Sequence, residues 1–478
     1  MAGRQAFCVH GHFYQPPRED PLTGEIPLEP GAAPYHNWNE KIHDQCYRPN
    51  AELENYSRIS FNVGPTLLEW MENYDPNTLL KIVEQERKNF EQYGVGNGMA
   101  QAYNHTILPL SPKHDKITQV LWGIVDFEYR FGHKPEGMWL PETAVDLETL
   151  EVLAESGIRF TILAPWQAEQ NNVDVSQPYW VELPQGGRIA VFFYQQDLST
   201  RISFDPTSTV NADNFLRKLL LPKFPPFRDG SSPDQLLMIA SDGELYGHHQ
   251  PFRDKFLAYL MDGALKGQTL QATYPSLWLQ QSPPTRTIRI RENTSWSCHH
   301  GVLRWSGVCG CAPHSEWKSP LRQALNLLAE KIDDEYLKVV GPWLDDPWRL
   351  RHAYIDVMRK HTRIEELAFA ILGWTPDETT LSHLECLLAA QFERQRMFTS
   401  CGWFFDDFDR IEPRNNIAYA AQAVWLTYLA TGADLAGLAI EALKKVKSWR
   451  SGLSADVVFT HHLKRASEYQ KLLQRSQG

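Results

Sequence analysis

The sequence predicts an α/β fold followed by an all-helical domain, on two observations. Over roughly the first 300 residues, short apolar runs alternate with stretches of helical periodicity, which is the pattern of βα units around a parallel sheet. After about residue 315, only helical periodicity is found. The 478 residues are enough for a large barrel and a second domain, and we place the two domains at 1–300 and 301–478.

The elements of the first domain follow from local composition. Runs rich in apolar and β-branched residues predict strands, at 6–10, 137–140, 160–164, 189–194, 236–240 and 287–291. Helical periodicity predicts helices between them, at 76–93, 116–131 and 147–156. Residues 16–49 are rich in Pro and Gly, and we expect them to form a long loop after the first strand.

The second domain contains only helical patterns. They predict helices at 321–336, 346–360, 364–373, 379–398, 417–431, 433–448 and 454–474.

Composition excludes some classes of partner. Lys and Arg total 47 against 58 Asp and Glu, a net charge of −11, and no basic run is present. We therefore expect no binding to nucleic acid or to an anionic membrane surface, and a substrate that is largely neutral. No signal peptide or membrane span is apparent, and the odd number of seven cysteines favours a reduced, cytoplasmic protein.

Four polar clusters lie at or just beyond predicted strand ends, where parallel α/β folds place their active sites. The first contains His10 and His12, which point to the same face of a strand, and the second contains His105. In the third, Glu142 follows a strand directly after a Pro, and in the fourth Asp242 ends an apolar strand. Two strands that deliver carboxylates to one rim provide what a glycosidase needs.

Taken together, the clusters resemble glycoside hydrolase family 57. The resemblance rests on the His-x-His…Gln-Pro opening, the Tyr-Asn-His…Leu-Pro-Leu segment, the Trp-Leu-Pro-Glu turn and the Asp-Gly-Glu-Leu-Tyr-Gly-His segment, all within about residues 1–300. Segments 294–301 and 399–407 are similar to a domain of unknown function that is fused to one branch of this family.

The resemblance implies an incomplete (β/α)7 barrel with a helical domain that closes over the barrel mouth. It also implies a retaining enzyme that acts on α-glucans, with Glu142 as the nucleophile and Asp242 as the general acid/base. In such a mechanism Asp242 protonates the leaving oxygen while Glu142 forms a covalent glycosyl-enzyme, and Asp242 then activates the acceptor.

Further residues are expected to bind substrate. We assign hydroxyl contacts, or the orientation of the carboxylates, to the four histidines of the motifs, and sugar stacking or core packing to Trp139. Glu244 is expected either to support the site from behind or to be an exposed acid. Trp403 and Asp406 belong to the helical domain, where the resemblance implies a place over the cleft or in a domain interface. The four histidines are His10, His12, His105 and His248.

Several functions remain open on the sequence. Hydrolysis of the α-amylase type, branching of 1,4-α-glucans and 4-α-glucanotransfer would all use the same two carboxylates, and we favour hydrolysis. A metal-dependent polysaccharide deacetylase would place His10, His12 and an Asp on zinc but would leave Glu142 without a role. A carbohydrate-binding protein without catalysis is disfavoured because both carboxylates are present.

No cofactor or metal is expected. Cys298, His300, Cys309 and Cys311 lie close together in the chain, with His299 and His314 nearby. Their Cys-x10-Cys-x-Cys spacing differs from the standard Cys-x2–4-Cys pairs of zinc sites. We therefore expect this segment to be a packed, Trp-rich junction between the domains.

Overall fold

The structure, a computed structural model, describes residues 3–227 and 233–477 of the chain. The described residues form two compact units. The barrel unit comprises those within Met1–Gln15, Leu28–Tyr103 and Asp126–Ser297, and the helical unit those within Pro16–Pro27, Asn104–Val125 and Cys298–Gly478. The last point at which the chain passes from the barrel unit to the helical unit, after Ser297, lies close to the predicted domain boundary. Two earlier segments group with the helical unit, which the sequence did not indicate because a connecting segment does not show which unit it packs on.

The barrel unit contains the strands of the described chain. They are β1 (Gln5–Phe13), β2 (Ser60–Val63), β3 (Ala100–Gln101), β4 (Met138–Trp139), β5 (Phe160–Leu163), β6 (Tyr179–Glu182), β7 (Arg188–Phe193), β8 (Gln235–Asp242) and β9 (Gln271–Ala272).

Seven of these strands follow one another around a ring. β1 lies between β2 and β8 and is parallel to both. β2 and β3 are linked by the hydrogen bond from Met99 N to Phe61 O, and β3 pairs with β4. β4 continues into β5 through a parallel bridge, β5 pairs with β7, and Gln195 N donates to Met238 O to link β7 with β8. The ring is the incomplete (β/α)7 barrel that was predicted.

Helices connect the strands of the barrel. In chain order they are α1 (Trp38–Ile42), α2 (Arg48–Glu52), α3 (Pro65–Tyr74), α4 (Pro76–Tyr93), α5 (Lys113–Phe131), α6 (Leu147–Glu155), α7 (Gln196–Phe204), α8 (Ala212–Asn214), α9 (Arg253–Tyr259) and α10 (Pro275–Gln281). The chain of α5 begins in a segment of the helical unit and ends in the barrel unit.

Two predictions for the first domain need correction, and the strand β2 was not predicted. The predicted loop 16–49 turns helical at Trp38, because the Asn37 side chain caps α1 by accepting from the Glu40 amide. β2 was missed because its buried Ser60 and Asn62 are polar and lower the apparent hydropathy of the strand. The predicted strand 287–291 forms only isolated bridges, since its two ends pair with different segments.

The helical unit consists of long helices that pack around α15. They are α11 (Lys318–Val340), α12 (Trp348–Met358), α13 (Ile364–Leu372), α14 (Glu378–Arg396), α15 (Ile411–Thr431), α16 (Ala436–Leu443) and α17 (Ala455–Gln477). Their order and approximate positions agree with the predicted ones. No helix within residues 3–227 and 233–477 is both long and apolar enough to cross a membrane.

A buried ion-pair network lies inside the helical unit. Asp115 from α5 pairs with Arg394 and, at 3.0 Å, with Arg351, while Arg394 also donates to Asp333 at 2.6 Å. All four side chains are buried, so each charge depends on the others for solvation. The network fixes α5 against helices that are far from it in sequence.

Candidate active site

The alternation of side chains along the strands places the candidate site. Even-numbered residues of β1, β5, β7 and β8 form one buried apolar cluster, which identifies the interior face of the barrel. His10, His12 and Asp242 have the same parity, so they extend that interior face toward the carboxyl ends of the strands. His12 is the register partner of Asp242 across the β1–β8 pair.

His10 and His12 belong to one hydrogen-bond network, and their burial favours neutral rings. His10 Nδ1 lies 2.9 Å from Ser60 Oγ and its Nε2 lies 3.2 Å from Asn62 Oδ1. Asn62 Nδ2 lies 3.0 Å from His12 Nδ1 and donates to Gln101 Oε1 at 2.8 Å. Burial lowers the pKa of both histidines to about 3. A His10 that donates through Nε2 and a His12 that accepts through Nδ1 satisfy all these contacts.

Trp139 supports the histidine pair from within the barrel. Its indole stacks on His10 at 4.7 Å between ring centroids and on His12 at 5.1 Å. The side chain is fully buried, which places it in the core of the barrel. Its stacking on a sugar stays a prediction.

Glu142 lies in a strained turn after β4. Glu142 and Thr143 both have left-handed backbone angles, with φ of 58° and 48°. Such angles cost of order 1–3 kcal/mol each for residues other than glycine. Gln167 stabilises the turn twice, since it accepts from Thr143 Oγ1 at 2.8 Å and donates to Thr143 O at 2.8 Å. The strain turns the side chain of Glu142 away from the direction that a regular strand would give it.

The carboxylate of Glu142 is oriented by two donors from the segment after α10. Trp296 Nε1 donates to Glu142 Oε2 at 3.0 Å, and Ser297 Oγ donates to the same oxygen at 2.6 Å. Trp296 also packs edge-on to Trp139 and His12. Neither donor was predicted as a site residue. Their signal was the polar, Trp-containing segment 294–301, which was noted only for its similarity to a domain of unknown function.

Asp242 ends β8 and experiences the charge of Glu142. The residue is exposed to solvent, yet the protein around it desolvates the carboxyl group. This desolvation, followed by the charge of Glu142, raises the pKa of Asp242 to about 7. A Cβ at Gly243, the next residue, would overlap the Phe13 ring, so the close approach of the chain there requires glycine.

Glu244 is buried behind Asp242. Its Oε1 accepts from Tyr14 N at 3.0 Å and from Tyr47 Oη at 2.7 Å. Burial is the largest cause that raises the pKa of Glu244 to about 8, and the charge of Asp242 contributes. Burial thus favours the protonated form of Glu244, and the alternative of an exposed acid is wrong. Its supporting role stays a prediction.

His248 lies farther along the same segment. Its Nδ1 is 2.7 Å from Gln45 Oε1, and its ring packs against Trp38. His248 and Gln45 line a cavity of about 440 Å³ together with Phe252 and Lys255. Burial lowers the pKa of His248 to about 4, so the ring is neutral. Its predicted contact with substrate stays a prediction.

The remaining predicted residues belong to the helical unit. His105 Nδ1 lies 2.6 Å from Ser400 Oγ. Trp403 is fully buried and stacks with Phe398 of the same unit. Asp406 pairs with Arg450. These contacts give each residue a structural role within the helical unit, and a part in substrate binding stays a prediction for all three.

Comparison with protein-family models confirms the resemblance drawn from the motifs. Residues 7–291 match Glycosyl hydrolase family 57, and residues 314–468 match Domain of unknown function (DUF3536). The first match covers more than half of the chain.

Curated relatives and solved structures point to the same family. An α-amylase of Pyrococcus abyssi is 24% identical over 295 residues, 60% of this chain and 40% of the relative. A 4-α-glucanotransferase of Thermococcus litoralis is 26% identical over 315 residues, 63% of this chain and 42% of the relative. The crystal structure of an exo-type maltose-forming amylase from Pyrococcus sp. ST04 has a TM-score of 0.75 and 14% identity, and the match covers 96% of this chain and 88% of that one. The chain thus spans about two fifths of these two curated relatives and shares the fold of the solved structure.

Proposed function

Because this chain belongs to glycosyl hydrolase family 57, we propose that it is a retaining glycosidase that hydrolyses α-1,4-glucans. The observation that carries the proposal is the carboxyl pair of Glu142 and Asp242. One member is fixed by two donors, and the other has a pKa of about 7. One ionised and one protonated carboxyl group are what double displacement requires at neutral pH.

Glu142 has the features of the nucleophile. Trp296 and Ser297 both donate to Oε2, which orients the carboxylate for attack on the anomeric carbon. The bond from a carboxylate oxygen to that carbon forms as the glycosidic C–O bond breaks, and the leaving oxygen takes the electron pair of the broken bond. The turn at Glu142 is fixed before substrate arrives, so little reorganisation is needed for the attack.

Asp242 has the features of the acid/base. At neutral pH a large fraction carries the proton, which it gives to the leaving oxygen. Once Glu142 is esterified, its negative charge is gone and one cause of the raised pKa of Asp242 disappears. Asp242 is then a carboxylate that removes a proton from water, which attacks the anomeric carbon and restores Glu142.

Transfer to a sugar hydroxyl is the second candidate. It uses the same two steps with a sugar in place of water, and one of the matched relatives is named a 4-α-glucanotransferase. A branching enzyme differs only in transferring to a 6-hydroxyl. The products therefore distinguish hydrolysis from transfer.

A metal-dependent deacetylase is disfavoured by the histidines themselves. Both ring nitrogens of His10 are within hydrogen-bond distance of protein groups, and His12 Nδ1 faces Asn62. A deacetylase would need one nitrogen of His10 for its metal, so a hydrogen bond of that ring would have to be broken first.

We further propose a cytoplasmic enzyme whose partners are neutral glucans. The seven cysteines are free thiols, which a reducing compartment preserves. The net charge of −11 gives no support for binding to nucleic acid or to anionic lipid.

The test is incubation of the chain with amylose, amylopectin and maltooligosaccharides. Hydrolysis predicts new reducing ends. Glu142→Gln and Asp242→Asn are each expected to lower the rate by at least about 10³-fold, because each removes a group that acts on the reacting atoms. The exposed carboxyl groups of Glu91 and Asp345 provide matched controls, Glu91→Gln and Asp345→Asn, which should retain the rate.

Two outcomes decide between the candidates. A change in chain length or iodine staining without new reducing ends supports transfer in place of hydrolysis. Full activity in both Glu142→Gln and Asp242→Asn contradicts the proposed mechanism for either reaction.

A further inference from the structure

The cysteine and histidine cluster that the proposed function does not use converges on one point. Cys298, His300, Cys309 and Cys311 form the Cys3His cluster, and one ligand atom from each lies within 4.8 Å of every other. All four residues belong to the helical unit. They come from the two ends of a loop that precedes α11, so the loop closes on itself at the cluster.

The distances within the Cys3His cluster match a tetrahedral metal site. Cys298 Sγ lies 3.4 Å from Cys309 Sγ and 4.0 Å from Cys311 Sγ. His300 Nδ1 lies 3.4 Å from Cys309 Sγ and 3.3 Å from Cys311 Sγ. Tetrahedral zinc bonded to sulfur and imidazole nitrogen separates its sulfurs by about 3.8 Å and sulfur from nitrogen by about 3.6 Å. An ion at the centre therefore requires only small side-chain movements.

We propose that the Cys3His cluster binds one Zn²⁺ ion as a structural site. Three thiolates and one imidazole are a ligand set that zinc uses in closed, four-coordinate sites. With four protein ligands, no coordination position is left for water or substrate, so the ion has no part in glucan chemistry. The proposal is independent of the proposed function.

The fold explains how ligands with this unusual spacing can reach one ion. The ligands come as two pairs, Cys298-x-His300 and Cys309-x-Cys311, with one residue between the members of each pair. Between the pairs, the chain forms a short 3-10 turn at Leu303–Trp305, which brings the second pair back to the first. The Cys311 amide donates to Cys309 Sγ at 3.5 Å, which allows two sulfurs two residues apart to face one ion.

The loop also supplies a donor to one of the sulfurs, since the Cys311 amide donates to Cys309 Sγ at 3.5 Å. Amide donors stabilise the negative charge of metal-bound sulfur.

A buried lysine provides the compensating charge. Zinc with three thiolates and a neutral histidine carries a net charge of −1. Lys318, the first residue of α11, is fully buried, and among the described residues its Nζ has no hydrogen-bond partner. Burial and the charge of Arg304 destabilise its ammonium form, whereas the charges of Cys309, Cys298 and Asp406 stabilise it. A buried ammonium group is costly without nearby negative charge, and the zinc–thiolate complex adds to that charge.

The test is elemental analysis of the purified full chain, together with cobalt substitution. We expect about one zinc ion per chain that survives dialysis. Cys309→Ser, Cys311→Ser and His300→Ala should lose most of it, and Cys386→Ser, a thiol substitution in α14, should retain it. His300 is exposed, so His300→Ala keeps the test informative if the cysteine variants fail to fold.

Cobalt provides a second measurement on the folded wild-type chain. After the zinc is removed with a chelator, Co²⁺ should give the thiolate charge-transfer and visible bands of a tetrahedral site, and Zn²⁺ should displace it. Zinc that leaves on dialysis, iron in place of zinc, zinc retained by His300→Ala and Cys309→Ser, or cobalt spectra without a thiolate band would each overturn the proposal.

Discussion

Asp242 combines solvent access with a pKa of about 7, the two properties that a general acid needs at neutral pH. Desolvation is the larger cause of its raised pKa, and the charge of Glu142 is the second. Because an acid with a raised pKa keeps its proton to higher pH, Asp242 can donate below about pH 7 and loses this ability above it. We therefore expect the glucan-cleaving rate to fall on the alkaline side of neutrality.

Removing the charge of Glu142 should lower the pKa of Asp242. In Glu142→Gln we expect the value to fall below about 7 but to stay above the ordinary 3.8, because desolvation remains. Carbon NMR of chain labelled at aspartate carboxyl groups measures it, and Asp242→Asn identifies the resonance. Glu91→Gln is the control. An unchanged pKa in Glu142→Gln would show that the two carboxyl groups do not interact.

Glu244 makes the stability of the fold depend on pH. Its pKa of about 8 in the folded chain exceeds the ordinary 4.5, so the folded chain keeps a proton that the unfolded chain releases as pH rises. The wild-type chain therefore loses stability between about pH 4.5 and 8. Glu244→Gln has no such proton, and its stability relative to wild type should rise by up to about 1.4 kcal/mol per pH unit in this window.

Urea unfolding at pH 5 and pH 8, followed by tryptophan fluorescence, measures this difference. Glu91→Gln, at an exposed carboxyl group, should differ from wild type equally at both pH values. A Glu244→Gln chain whose relative stability does not change with pH would mean that Glu244 is ionised in the folded protein.

At the scale of elements, the turn after β4 is the feature that positions the carboxylate of Glu142, the proposed nucleophile. Two consecutive left-handed residues are held by Gln167, which lies just after β5 and contacts Thr143 through both ends of its amide. The site thus depends on a side chain that touches neither substrate nor carboxylate. Gln167 is a positioning residue, because it acts through the backbone of Glu142 and Thr143.

Gln167→Ala should release the turn and lower kcat by about 10- to 100-fold, since small displacements of a reacting group have effects of this size. KM should change less than kcat, because the substrate-binding surface is retained. A purely structural role would lower the stability of the fold without lowering kcat more than it changes KM. Steady-state kinetics on maltooligosaccharides measure both. Gln92→Ala, at an exposed position, is the control. Equal kcat values in Gln167→Ala and wild type would show that Gln167 does not position Glu142 for the reaction.

Sequence patterns identified the elements that are uniformly apolar and missed those that are not. The buried strands β1, β5, β7 and β8 and the long helices α11–α17 were predicted, because their burial shows in hydropathy and periodicity. β2 was missed because Ser60 and Asn62 are buried for their hydrogen bonds to histidines. Such a polar strand can be recognised only once the partners of its side chains are known.

The same limit applies to the candidate site. The motifs identified Glu142 and Asp242, because carboxylates directly after predicted strands can be recognised from the sequence alone. The donors Trp296 and Ser297 lie more than 150 residues beyond Glu142, and no local pattern connects them to it. The position of Trp139 near the site was inferred from its motif. Its stacking on the two histidines could not be inferred, because it depends on how the barrel packs.

At the scale of the whole molecule, the tryptophan residues have several different roles. Of the 16 Trp residues, Trp139 supports the histidines, Trp296 orients Glu142, and Trp403 packs within the helical unit. These three residues therefore contribute contacts within the protein. The two units also differ in chemistry, since the carboxyl pair lies in the barrel unit and the Cys3His cluster in the helical unit.

The central claim is that Glu142 forms a covalent bond to the sugar. The most direct measurement is to trap that intermediate with a 5-fluoro-α-glucosyl fluoride, whose fluorine slows the second step more than the first, and to locate the label by mass spectrometry of peptides. The account predicts one glucosyl group on the peptide that contains Glu142 in the wild-type chain, and no label in Glu142→Gln. A label on any other residue, or an active enzyme that accumulates none and releases the inverted anomer, would contradict it.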